Sequence, residues 1–163
     1  MPTVVVPTVV VMGVAGSGKT TVGRLLAARL GVSFVDGDDA HTEAAKRQMA
    51  EGVPLTDEQR VPWLDRLHRV LRDHAASGVV LACSALTTAA RRRLAGGLPV
   101  RFLALVAPSD VLAARLRDRS GHFAGADLLA SQLATLELDD TVTTVDGSLP
   151  VDEVVEAAER ALV

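Results

Sequence analysis

Thr8-Val9-Val10-Val11-Met12-Gly13-Val14-Ala15-Gly16-Ser17-Gly18-Lys19-Thr20-Thr21 runs from a β-branched apolar stretch through a glycine-rich turn into a segment of helical character. The first part reads as a strand buried on both faces, because it is continuously apolar rather than alternating. Gly13 to Thr20 then satisfies G-x-x-x-x-G-K-[ST] at every fixed position. Gly13, Gly16 and Gly18 let backbone N–H groups turn inward around an anion without side-chain clash. The helix that follows aims its positive end at the same point. Ser17, Lys19, Thr20 and Thr21 complete the cradle: Lys19 reaches the outer phosphates of a nucleoside triphosphate, and the Thr20 hydroxyl is placed to ligate Mg²⁺. A strand before and a helix after distinguish this motif from a chance glycine turn. ATP and Mg²⁺ are the expected cofactors.

Working outward, strand and helix alternate. Further short apolar runs, Ser33–Val35, Val79–Cys83, Val100–Val106 and Thr141–Val145, read as strands of the same buried kind. Helical stretches lie between them at Thr20–Leu30, Glu43–Ala50, Val61–Ala76, Thr88–Ala95, Ser109–Arg119, Ala126–Leu136 and Val151–Leu162. Gly31, Gly52, Gly78 and Gly96–Gly97 stand where helices should stop. Thr56 and Gln59 have capping-box spacing, and Pro62 is expected to start or kink the long helix. Alternating elements predict a parallel five-stranded sheet covered by helices, an α/β three-layer P-loop fold in a single domain spanning 1–163. The glycine- and arginine-bearing segment around 119–127 is the expected mobile lid.

Composition agrees. The chain has 163 residues, 48% hydrophobic and 23% charged, which suits one compact domain with a real core. A net charge of −3 gives no footprint for nucleic acid or an anionic membrane surface. No apolar run approaches membrane-spanning length. The apolar N-terminus, interrupted by Pro2 and Pro7 and lacking a basic leader, reads as a disordered start followed by a strand, not as a targeting segment. One cysteine, Cys83, cannot form an internal disulfide; it fits a reducing cytoplasm and an inert, packed thiol.

Phe34-Val35-Asp36-Gly37-Asp38 puts two acids at the carboxyl end of a predicted strand, the edge at which open α/β sheets bind ligands. In an extended segment Asp36 and Asp38 point the same way, so one carboxylate can serve a metal and the other an acceptor hydroxyl. The competing reading is that these acids cap the next helix. Arg60 and Arg91 are candidates for a two-pronged carboxylate clamp. His41 and His122 sit in predicted loops and suit hydrogen bonding to substrate or phosphate, or equally a structural role, better than metal ligation. Trp63 reads as a core anchor, and with aromatics at 2% acceptor recognition should be mostly polar.

In order along the chain, the glycine motif, Asp36-Gly37-Asp38 with His41, the stretch Met49 to Leu64, Cys83-Ser84-Ala85-Leu86, Gly121-His122-Phe123 and Leu128-Leu129-Ala130-Ser131-Gln132 resemble the gluconokinases of the shikimate-kinase-like group. The resemblance covers nearly the whole chain. It implies ATP, Mg²⁺ and phosphorylation of D-gluconate to 6-phosphogluconate. By matching position it implies Asp36 near the metal and Asp38 on the acceptor hydroxyl. It brings His41, Arg60, Ser84, Arg91, His122 and Gln132 to the acceptor or its phosphate. Arg115 is implied beside adenine, and Arg119 as a lid arginine acting with Lys19 and Asp38 in catalysis. The family is commonly dimeric, which leaves a homodimer open. The chain departs from the usual family pattern at Thr42, Ala45, Gln48, Thr87 and Ala90, on the acceptor side. Alternatives therefore stand beside gluconate: another polyol, sugar acid or shikimate-like acceptor, or a nucleotide-binding regulator without acceptor chemistry.

Overall fold

The computed structural model describes residues 6–120 and 126–163. Strands β1 (Thr8–Met12), β2 (Ser33–Asp36), β3 (Val79–Ala82), β4 (Arg101–Val106) and β5 (Val142–Asp146) form one sheet in the order β2-β3-β1-β4-β5. Every pairing is parallel. Helices α1 (Lys19–Leu30), α2 (Glu43–Ala50), α3 (Asp57–Asp73), α4 (Thr88–Ala95), α5 (Ser109–Ser120), α6 (Ala126–Thr135) and α7 (Val151–Ala161) complete the chain.

The unbroken apolar run of β1 has a direct cause. Val10 and Met12 join the core beneath α3 and α4 with Leu67, Leu71 and Leu94. Val9 and Val11 join the opposite core with Val22 and Leu26 of α1 and Val154 and Val155 of α7. Successive side chains of a strand alternate in direction, so a strand with helices on both faces needs both sets apolar. The expectation of burial on both faces fails at the two edges. Ser33 in β2 is exposed and the rest of that strand only half-buried, and Thr143, Thr144 and Asp146 in β5 are exposed. An edge strand lacks a neighbour on one side, and its faces are covered less completely.

Other boundaries shift. α3 begins at Asp57 rather than Val61, because Thr56 and Gln59 form a complete capping box; Pro62 therefore lies inside the helix and does not start it. The same helix ends at Asp73, short of the expected Ala76. Gly37–Ala40 forms an unanticipated 3-10 turn. Gly37 lies so close to β3 that a Cβ there would sit 2.8 Å from both the Ala82 carbonyl oxygen and the Cys83 Cβ. Among the described residues no helix is long and apolar enough to cross a membrane. The expected disordered start falls on residues 1–5, outside the described residues.

The chain passes from β1 to β2 and β3 on one side of the sheet, and from β3 it crosses past β1 to β4 and β5 on the other. The crevice at the carboxyl ends of these strands is where doubly wound sheets hold ligands. Asp36 ends β2, and Gly13 and Ser84 follow β1 and β3, all at this one edge.

Candidate active site

The glycine loop leaves β1 at Gly13, whose φ of 150° and tight surroundings exclude a side chain: a Cβ would lie 2.6 Å from Ser17 Oγ and 2.9 Å from the Leu105 carbonyl oxygen. Gly18, at φ 95°, is the N-cap of α1. Helices α2 and α3 satisfy their first turns with threonine caps and acidic residues. α1 has no side-chain cap and no acid in its first turn. Its orphan amides and the positive end of its dipole are thus left for an anion. Lys19 Nζ donates to the Val14 carbonyl at 3.0 Å, which folds the ammonium back over the loop. Thr21 lies on the exposed side of the first turn of α1.

Thr20 Oγ1 donates to Asp36 Oδ2 at 3.2 Å, so a hydroxyl and a carboxylate stand side by side. Hard oxygen donors of this kind fit Mg²⁺, which keeps waters and phosphate oxygens as its other ligands. Among the described residues no cluster of three or more His, Cys, Asp or Glu offers a different metal site. Asp36 also caps the 3-10 turn, its Oδ1 accepting from the Asp38 N–H at 3.0 Å. Capping and contact with Thr20 are therefore compatible. The two acids do not share a direction by strand alternation, as expected from the sequence; Asp38 reaches the site because the chain turns after Asp36.

One cleft of about 250 Å³ joins the loop to the acceptor side. Ala15, Gly16, Gly18, Lys19 and Thr20 of the loop line it together with Asp38, His41, Arg60, Ser84 and Gln132; Gln132 Oε1 accepts the Ala15 N–H at 2.6 Å. Trp63, Met49, Pro54 and Leu55 also line it and were not anticipated as site residues, although they fall in the stretch that carries the family resemblance. Trp63 is 3% exposed and its Nε1 donates to the Gly37 carbonyl at 2.7 Å, so the core anchor is also a wall of the cleft. His41 stacks on it with ring centroids 4.4 Å apart. Burial, only partly countered by Asp38, lowers the His41 pKa from its usual value, and Arg66, Lys46 and Arg60 add to the lowering. The imidazole is therefore neutral at pH 7 and offers one donor and one acceptor.

Arg91 is not where the clamp with Arg60 requires it. Arg60 is partly exposed in the cleft, with Asp57 at 3.4 Å. Arg91 is 3% exposed, and its guanidinium donates to the Ala85 carbonyl at 3.0 Å and the Glu137 carbonyl at 2.7 Å. Asp139 lies 3.7 Å away. Arg91 thus ties α4 to the loop after β3 and to the segment between α6 and β5. It holds Ala85, a non-glycine residue at φ 39°, directly beside Ser84. Arg91→Ala should strand buried carbonyls and lower unfolding free energy by about 3 kcal/mol. Denaturant titration checks this, and a loss below about 1 kcal/mol would contradict the anchoring role.

Arg115 spans the loop and the far side of the sheet, donating to the Gly16 carbonyl at 3.3 Å and the Gly147 carbonyl at 2.6 Å. Cys83 is buried, which pushes its thiol up to about 12, in keeping with inert packing. His122 and the Arg119 side chain lie outside the described residues. The departures from the family pattern have local roles. Thr42 caps α2 and Thr87 caps α4. Gln48 exchanges hydrogen bonds with Gln59. None of the five positions lines the main cleft, but all border cavities that adjoin it: Thr87 and Ala90 one of about 40 Å³ that shares Arg60, Ser84 and Gln132 with it, and Thr42, Ala45 and Gln48 one of about 250 Å³ that shares His41, Leu55 and Trp63.

A parallel sheet with a phosphate loop after its central strand, and carboxylates at the end of the edge strand β2 in the same crevice, defines a P-loop kinase. Residues 9–138 match the AAA domain family. The chain is 47% identical over 157 residues to a gluconokinase of Gluconobacter oxydans (strain 621H), covering 93% of this chain and 88% of that protein. It is 42% identical over 178 residues to a probable gluconokinase of Mus musculus, covering 93% and 95% respectively. The crystal structure of a gluconokinase from Sinorhizobium meliloti 1021 superposes with a TM-score of 0.89 at 39% identity, covering 97% of this chain and 92% of that one. The chain belongs to the gluconokinase family.

Proposed function

We propose that this chain transfers the γ-phosphoryl group of ATP to a hydroxyl of D-gluconate, releasing ADP and 6-phospho-D-gluconate. The observation that carries the reading is the single cleft in which the phosphate loop faces Asp38, Ser84 and Arg60. Asp38 takes the proton of the acceptor hydroxyl as its oxygen bonds to phosphorus, while the bridging oxygen leaves with ADP. Lys19 and the loop amides offset the charge that spreads over the phosphoryl oxygens. Thr20 and Asp36 would hold Mg²⁺, which would supply further neutralisation of phosphate charge.

Across the cleft, Arg60 faces the acceptor carboxylate, and neutral His41, Ser84 and Gln132 hydrogen-bond its hydroxyls. Gly13, Gly16, Ser17, Gly18 and Thr21 belong to the nucleotide side, with Arg115 beside adenine. Arg119 and His122 are assigned to the closing lid around 119–127 on the family resemblance alone. The altered positions border adjoining cavities and not the main cleft itself, so the cleft's own lining keeps Asp38, His41, Arg60, Ser84 and Gln132 for the family acceptor. A reducing cytoplasm and a homodimer complete the proposal. ADP release against a panel of sugar acids, polyols and shikimate tests it. Gluconate should give the highest kcat/KM; another aldonate alone would replace the acceptor, and shikimate as best substrate would overturn the reading.

A further inference from the structure

Helix α2 buries none of its residues. Part of it borders open space: Ala44, Ala45 and Gln48 line the cavity of about 250 Å³ that also draws on α3. That cavity is as large as the main cleft. Ala45, Leu55, Pro62 and Trp63 make much of its lining apolar, and no Asp or Glu borders it. One arginine enters this lining, Arg66, which is half-buried. Its Nε donates to the Ala40 carbonyl at 2.8 Å, and its Nη atoms have no hydrogen-bond or ion-pair partner among the described residues. Gln48 and Gln59 are occupied with each other, at 3.1 and 3.0 Å. The unanswered polar group of the cavity is therefore the end of one guanidinium.

We propose that the cavity between α2 and α3 is a second ligand site, for a small monocarboxylate with a ring-sized apolar body. Paired Nη donors match the two oxygens of one carboxylate. A single arginine offsets one negative charge and leaves the second charge of a phosphate unpaired in an apolar lining. An apolar cavity of about 150 Å³ already holds benzene, so the space suffices for a ring. An open-chain polyol finds too few free hydrogen-bonding groups there, which separates this site from the acceptor side of the main cleft. The site is tied to the reaction through backbone: the Ala40 carbonyl that Arg66 holds ends the 3-10 turn Gly37–Ala40, which carries Asp38. The inference needs no assumption about the acceptor.

The test is calorimetric titration of the full chain with benzoate, with benzamide and acetate as controls. Benzamide keeps the ring and loses the charge; acetate keeps the charge and loses the ring. Benzoate should bind at least about tenfold tighter than either. Arg66→Met removes the charge partner, and Ala45→Leu fills the space while leaving Arg66 in place. Each should weaken benzoate by about tenfold or more, whereas Arg60→Met, in the main cleft, should leave its Kd within about twofold of wild type. Ala45→Leu decides the matter should Arg66→Met fail to fold. Benzoate that does not bind, binds no tighter than benzamide, or keeps its affinity in Ala45→Leu overturns the inference. Loss of binding in Arg60→Met would place benzoate in the main cleft and overturn it equally. None of these results bears on gluconate phosphorylation, which the substrate panel tests by itself.

Discussion

Lys19→Ala is expected to lose at least about 10³-fold in kcat, some 4 kcal/mol of barrier, while the protein stays folded. The ammonium is the one side-chain charge that the loop motif carries to the phosphates. It is held over the loop by the Val14 carbonyl at 3.0 Å. Its alkyl stem is not part of the core beneath, to which α1 contributes Val22, Leu26 and Ala27. Steady-state kinetics and a thermal melt on the same sample check both halves. Turnover within tenfold of wild type in a folded variant would remove Lys19 from the phosphate site.

Asp38→Asn is expected to lower kcat by about 10²-fold or more and to leave the KM for ATP nearly unchanged. The substitution is close to isosteric. The backbone at this position is held from outside, since the Asp38 N–H donates to Asp36 Oδ1 at 3.0 Å. Only the charge and basicity of an exposed side chain at the cleft are removed. Asp36 keeps its contact with Thr20 in this variant. A kcat within a few-fold of wild type, roughly 1 kcal/mol, would show that another group takes the proton.

The parts of the site legible in the sequence are those set by local geometry. The glycine spacing between a strand and a helix dictates the cradle, and the acids after β2 had to fall at the carboxyl edge of the sheet. Thr56 and Gln59 announced the start of α3 by spacing alone, although Pro62 obscured it. Arg91 was misplaced because Arg91-Arg92-Arg93 offers three adjacent charges, about 100° apart around a helix, of which packing selects one to face inward. A signal was present: Arg91 stands three residues before Leu94, the apolar residue that α4 buries. The Gln132–Ala15 contact had no local signal, since the order of strands and the seat of α6 bring the two together. The edge strands misled for a similar reason: whether β2 or β5 has a neighbour is decided by the order of the whole sheet.

The reading that joins these elements is transfer of phosphate from ATP to an open-chain sugar acid. With Arg91 engaged elsewhere, the proposed function leaves recognition of the carboxylate to the partly exposed Arg60, and discrimination against an uncharged analogue should be about tenfold or more. The most direct measurement is kcat/KM for D-gluconate and D-glucose under identical MgATP, with the phosphorylated product identified. The account predicts gluconate ahead by at least that margin and 6-phospho-D-gluconate as the product; glucose equal to or better than gluconate would contradict it.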